Sequence, residues 1–172
     1  MKCALVIPAW SPEDIFSVKT SGSQINYWQP LGTLYVASYL KKAGHEVRFL
    51  NGAFTTHEEI LKQIRDFRPD FSGLYSTAFG WKKAVKAASD IKGIDKNIFI
   101  AVGGPYPIAA GRKCLEDSLH IDAVVTGEGE LTLAEALDRL DRLDGVEGLV
   151  FRRNGDIVEN GKRPLIKDLD SL

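Results

Sequence analysis

The sequence is poor in the residues that carry most cofactor-free chemistry. Its 172 residues include two cysteines, one methionine and three histidines. Cys3 and Cys114 stand far apart and form no CxxC or CxxxCxxC cluster, which argues against a disulfide framework and a structural zinc site. Each thiol reads as a small hydrophobe in ordinary packing. No apolar run approaches the roughly 20 residues that span a bilayer. The start, Met1–Pro8, has too short an apolar core for a signal peptide and reads better as a first strand. With a net charge of −1, there is no electrostatic case for nucleic acid or an anionic membrane as partner. No GxGxxG follows the first strand and no Walker A loop is present, so a dinucleotide or P-loop nucleotide site is not expected. Pro8 and Ala9 stand where a receiver domain would carry an acid. No carboxylate pair, Ser-His-Asp set or His-Cys metal cluster occurs at a useful spacing, and His45, His57 and His120 read as turn or surface residues. The expectation is a cytoplasmic protein with no catalytic residues and no metal ligands of its own.

What is present is a globular chain of one domain's length, 44% hydrophobic and 26% charged, enough to bury a sizeable core. Short apolar runs at Cys3–Pro8, Glu46–Leu50, Phe71–Tyr75, Ile98–Val102 and Asp122–Val125 read as strands. Helical patterns alternate with them at Pro30–Lys42, Thr56–Phe67, Lys82–Ile91, Arg112–Leu119 and Leu131–Leu143. In the first helix, Leu31, Leu34, Tyr35 and Ser38 share one face, broadened by Val36, Ala37, Tyr39 and Leu40. Gly148–Phe151 and Asp156–Val158 flank Asn154-Gly155, the favoured two-residue hairpin turn. Alternating strands and helices imply an α/β fold: a flavodoxin-like, doubly wound parallel sheet of five strands in order 2-1-3-4-5, followed by a C-terminal β-hairpin. The expected division is 1–145 for the Rossmann-like domain and 146–172 for hairpin and linker.

That strand order places ligands at the strands' carboxyl ends, by the switch point between strands 1 and 3. Three unusual loops fall there. Ala9–Trp28 is long, lacks a clear period and carries Trp10, Tyr27 and Trp28; aromatics argue against simple disorder. Ser76–Gly80 opens with Ser76 and Thr77. Gly103-Gly104 lacks two Cβ atoms where the backbone must bend or a ligand must come close, and Pro105 and Pro107 stiffen the rest of that loop. The stretch Ser17–Ser23 is a weak phosphate-loop candidate, set too far past the first strand for a flavodoxin.

Five segments occur here in one order: Pro30–Leu40 (PLGTLYVASYL), Ala43–Val47 (AGHEV), Val102–Pro107 (VGGPYP), Val124–Glu130 (VVTGEGE) and Arg163–Leu169 (RPLIKDL). Together they resemble the N-terminal cobalamin-binding domain of cobalamin-dependent radical S-adenosylmethionine enzymes, a group that includes anaerobic magnesium-protoporphyrin monomethyl ester cyclase, hopanoid methylases and other methyltransferases. The resemblance covers nearly the whole chain.

It implies a corrin across the strand carboxyl ends, with its nucleotide tail running down into the sheet. Gly103 and Gly104 then leave room for the tail, with Pro105 and Tyr106 in the same turn. The hydroxyls of Ser76 and Thr77 can hydrogen-bond the displaced base or nearby tail atoms. Gly127, Glu128 and Gly129 have two compatible roles: turning the chain into a helix whose N-terminus favours acids, or meeting the corrin's amide side chains. Trp10 either packs within its loop or covers the corrin's lower face. The Asp-X-His-X-X-Gly motif of methionine-synthase-type domains is missing; that region reads Pro8–Asp14 (PAWSPED), so no protein imidazole is expected below cobalt. Tyr106 stands where the family often has His, and Asn51 where an acid is frequent. S-adenosylmethionine and the [4Fe–4S] cluster would belong to a C-terminal radical domain absent here, since cluster binding needs a cysteine triplet. The chain alone is expected to bind cobalamin without catalysis. The alternative is a flavodoxin-like interaction domain, or a nucleotide or flavin binder, without cobalamin.

Overall fold

Each apolar run of the sequence becomes a strand of a single sheet. A computed structural model describes residues 1–14, 19 and 30–168. Most of the loop expected to carry Tyr27 and Trp28, and of the 17–23 stretch, lies outside the described residues. The strands are β1 (Lys2–Ile7), β2 (Glu46–Asn51), β3 (Phe71–Tyr75), β4 (Phe99–Gly103), β5 (Ala123–Val125), β6 (Leu149–Arg153) and β7 (Asp156–Glu159). Their order is β2-β1-β3-β4-β5-β6-β7. The first five are parallel, in the order 2-1-3-4-5. The hairpin does not stand apart: β6 pairs antiparallel with β5 through Val124 and Val150, extending the same sheet to seven strands. Asn154 (φ 53°) and Gly155 (φ 94°) both take left-handed backbone at its turn, as a two-residue hairpin loop requires.

Strand alternation sends side chains to two cores. Ala4, Val6, Leu74, Ile100, Val102 and Val124 pack under α2 (His57–Phe67) and α3 (Trp81–Ile94). Cys3, Leu5, Phe71, Ala101, Ala123 and Val125 pack under α1 (Leu31–Lys42) and α6 (Gly129–Asp138). Helix α2 begins at Thr56, whose Oγ1 accepts the Glu59 amide at 3.2 Å. Both cysteines are buried and unpaired.

Three expectations need correcting. In α1 the packed residues are Val36, Ala37 and Leu40, whereas Leu31 and Tyr35 are 63% and 54% exposed. Helix α6 brings a glycine against Val36, so the β-branched and small side of α1 is the one that can approach closely. The Pro-Tyr-Pro segment is not a loop but α4 (Pro105–Ala110), with Pro105 at the first helical position, where its fixed φ and missing N–H cost nothing. A five-residue helix, α5 (Lys113–Asp117), follows. Helix α6 starts two residues before Leu131 and stops at Asp138, short of Leu143.

Candidate functional site

The central strands lose side-chain bulk toward one place. On the α1/α6 face a row runs across four strands in register: Leu5, Gly73, Ala101 and Ala123. One step further along, Gly103 stands opposite Tyr75. Above this floor, helices α1 and α6 cannot close onto the sheet, and a cleft of about 270 Å³ remains. It lies at the carboxyl half of β3, β4 and β5, where open α/β sheets bind ligands. Val36 from α1, Ile108 from α4 and Leu133 from α6 make its walls.

The glycines of this floor act in different ways. A Cβ on Gly103 would meet only Val125 Cβ, at 3.8 Å, so its absence adds space to the cleft. A Cβ on Gly73 would come within 2.7 Å of Leu5 Cδ2, so this mid-strand glycine lets Leu5 lie across the neighbouring strand. Gly104 takes φ 105°, and a Cβ there would lie 2.8 Å from the Ser76 carbonyl oxygen and 2.9 Å from the Tyr75 ring. Its missing side chain makes room for protein.

The cleft's charge pattern is one-sided. Among the described residues no lysine or arginine lines it, and the polar side chains that do are Thr33, Tyr75, Glu128 and Glu130. Glu128 Oε2 accepts the Ile166 amide at 2.7 Å, tying the C-terminal segment to the rim. That segment is anchored further by Arg163, whose Nε donates to Thr132 Oγ1 at 2.8 Å and to the Glu147 carbonyl at 3.0 Å and whose Nη2 pairs with Glu135. Burial pushes the Tyr75 phenol above its ordinary pKa, so it remains a protonated donor at neutral pH. Neither the Thr33 nor the Tyr75 hydroxyl has a hydrogen-bond partner among the described residues.

Of the ten residues singled out from sequence, the structure brings Gly103, Gly104, Gly127, Glu128 and Gly129 into the wall of this cleft. Ser76 and Thr77 sit beside it with their hydroxyls engaged locally. Ser76 Oγ donates to the Thr77 carbonyl at 2.9 Å, and Thr77 Oγ1 accepts the Gly80 amide at 3.2 Å. The Ser76 amide donates to the Gly103 carbonyl at 2.9 Å, which braces the two turns against each other. Pro105 opens α4 outside the cleft. Tyr106 points to the opposite face, its ring 4.9 Å from that of Trp81. Trp10 is half-buried in the loop after β1, its amide donating to the Gly52 carbonyl at 3.3 Å. Leu5, Gly73, Ala101, Thr33 and Tyr75 join the site without being expected from sequence. Gly73, a glycine inside an apolar strand, is the one of these that carries a sequence signal, because it marks close backbone approach.

Known proteins share this fold. The chain matches the family described as B12 binding domain over residues 23–137. It is 34% identical to an uncharacterized methyltransferase of Pyrococcus horikoshii, with 100% of this chain and 37% of that protein covered. It is 27% identical to the anaerobic magnesium-protoporphyrin IX monomethyl ester cyclase of Cereibacter sphaeroides, over 84% of this chain and 25% of that protein. The chain thus spans well under half the length of these relatives. Its fold is that of part of TsrM, a radical S-adenosylmethionine methyltransferase from Kitasatospora setae solved with cobalamin and a [4Fe–4S] cluster bound. The TM-score is 0.72 at 18% identity, over 98% of this chain and 30% of that one. With the family match spanning most of a doubly wound sheet whose carboxyl edge opens into a small-residue cleft, this chain belongs to the B12-binding domain family.

Proposed function

We propose that this chain is a cobalamin-binding module and that the cleft beneath α1 and α6 takes the nucleotide tail. The observation that carries the reading is the floor of Ala101 and Gly103, with Leu5 lying across Gly73 beside them. It opens a groove along the sheet where ordinary core residues would leave none. The donor set fits as well. A groove with apolar walls and no cation among its described residues suits an uncharged heterocycle with a few acceptor atoms, and leaves a phosphate to the mouth. Gly103, Gly127 and Gly129 would border the tail, and the half-buried Trp10 stands in the loop after β1, at the same edge of the sheet.

Bound cobalamin supplies a cobalt centre able to accept and pass on a one-carbon group. The residues of this chain bind and orient it. None of the three histidines lines the cleft. His45 and His120 precede β2 and β5, at the amino ends of the strands, and His57 Nε2 lies 2.6 Å from Asp90 on the opposite face. We infer that cobalt receives no imidazole from this chain.

The larger protein, in this reading, is a radical S-adenosylmethionine methyltransferase or oxidative cyclase. S-adenosylmethionine and its [4Fe–4S] cluster sit in a further domain, reached through 146–172, whose hairpin completes the sheet of the 1–145 domain and whose end serves as linker. The length of the relatives supports this. Two buried, unpaired thiols fit a reducing compartment such as the cytoplasm. Among the described residues no helix is long and apolar enough to cross a membrane.

Incubation with hydroxocobalamin, desalting and a visible spectrum test the reading. Retained corrin bands near one equivalent are expected. A colourless protein, or flavin bands in the protein as purified, would overturn it.

A further inference from the structure

We propose that Tyr75 is the specificity-determining residue of the cleft, its hydroxyl donating a hydrogen bond to the nucleotide tail and so selecting cobalamin over corrinoids that lack the tail. The inference rests on the cobalamin reading and deepens it.

Supply and demand for hydrogen bonds single out this residue. A nucleotide tail brings ribose, phosphate and base atoms that are mostly acceptors, and acceptors moved into an apolar groove without donors lose the hydrogen bonds water gave them. Among the described residues the cleft's side chains offer few donors. Glu128 and Glu130 accept only, and Glu128 is engaged by the Ile166 amide. Thr33 and Tyr75 supply the two hydroxyls. Thr33 lies in the first turn of α1, at the wall. Tyr75 ends a central strand directly opposite Gly103, over the floor itself.

Position and rigidity favour Tyr75 further. Its ring edge fills the space above Gly104, 2.9 Å from where a Cβ would stand, so the ring is held before any ligand arrives. A donor fixed in advance gives up little conformational entropy on binding. Packing against Gly104 needs only the ring, which phenylalanine would supply. The hydroxyl has no partner among the described residues, so it is free to donate to an acceptor on a ligand.

The test uses the whole 172-residue chain and Tyr75→Phe, which keeps the ring and deletes one oxygen. Dissociation constants are measured by absorbance titration for cobalamin and for cobinamide, a corrinoid without the nucleotide tail. Tyr75→Phe is expected to weaken cobalamin about five- to tenfold, the worth of one hydrogen bond, and to leave cobinamide unchanged. Unchanged cobalamin affinity overturns the inference. So does equal weakening of both corrinoids, with or without a lowered melting temperature, because it assigns the hydroxyl to the corrin or to the fold. A wild-type chain that binds neither corrinoid refutes the cobalamin reading itself, and the role of Tyr75 falls with it.

Discussion

The ring of Tyr75 occupies the space a side chain on Gly104 would need: a Cβ there would stand 2.9 Å from both Cδ2 and Cε2 of the ring. Gly103 and Gly104, adjacent and alike in sequence, therefore do opposite things. Gly104 lets two pieces of protein meet at a backbone angle, φ 105°, that other residues rarely adopt. Gly103, at the end of β4, leaves a gap.

Substitution separates the two roles. Gly104→Ala meets the Ser76 carbonyl oxygen at 2.8 Å as well as the ring, and is expected to cost about 1–3 kcal/mol. For a chain of this size that lowers the melting temperature by roughly 2–12 °C. Gly103→Ala meets nothing closer than 3.8 Å and should melt with the wild type. Differential scanning calorimetry of both variants checks the contrast; equal melting temperatures would refute it.

The C-terminal segment is held by few but strong contacts. The Arg163 side chain is only 15% exposed and binds Thr132, Glu135 and the Glu147 carbonyl. Arg163→Ala strands those partners and should destabilise the protein by about 1–3 kcal/mol. Glu128→Ala removes the acceptor of the Ile166 amide, which should then exchange its hydrogen faster while the amides of β4 keep their protection. Hydrogen exchange read residue by residue decides; unchanged exchange at Ile166 would count against the anchor.

Stability should fall in two steps as pH drops. Burial, followed by the positive amino terminus 3.5 Å from Nδ1, holds His45 below its ordinary 6.5, with Asp138 pulling the other way. The folded chain then binds that proton more weakly than the unfolded chain, so stability declines as pH falls below about 6.5. Asp90 adds a second decline. Burial raises its pKa, but hydrogen bonds from Lys86 and His57 outweigh this and leave it below the ordinary 3.8, so its contribution is lost as pH falls below that value. Melting curves from pH 8 to pH 3 should show both declines. His45→Asn should lack the upper one, and Asp90→Asn should show a shallower lower one.

With no histidine at the cleft, electron paramagnetic resonance of the reduced, cobalamin-loaded chain should show no nitrogen splitting from a protein ligand. Such splitting, surviving in a sample loaded with cobinamide, would identify a protein imidazole and contradict the placement of His45, His57 and His120.

Strand order is legible in the sequence, and so is the carboxyl edge of the sheet as the place where unusual loops gather, because both follow from features a linear chain displays. Short apolar runs separated by helical patterns fix a doubly wound sheet, and the glycine pairs at 103–104 and 127–129 mark two of its loops. The orientation of α1 is not legible. Leu31 and Tyr35 have the helical spacing of a core face, yet α6 packs on the side of Val36 and Leu40, and only the tertiary partner decides between two apolar sides. Ser76 and Thr77 look like ligand donors because hydroxyls after a strand are free to serve a ligand or their own turn, and here both serve the turn. Tyr75 reads in sequence as no more than the last residue of a strand; its ring matters because of Gly104, a neighbour 29 positions away that β3–β4 pairing brings alongside.

The most direct measurement is a cobalamin titration of the wild type and Gly103→Val side by side, followed by visible absorbance after desalting, with melting temperatures recorded for both. A Cβ at position 103 would meet only Val125 Cβ, at 3.8 Å, so the added bulk enters the cleft from its floor. Saturable retention by the wild type, weakened at least tenfold in Gly103→Val at an unchanged melting temperature, is the expected result. Equal retention by the two proteins, or none by the wild type, would contradict the assignment of this cleft to the cobalamin tail.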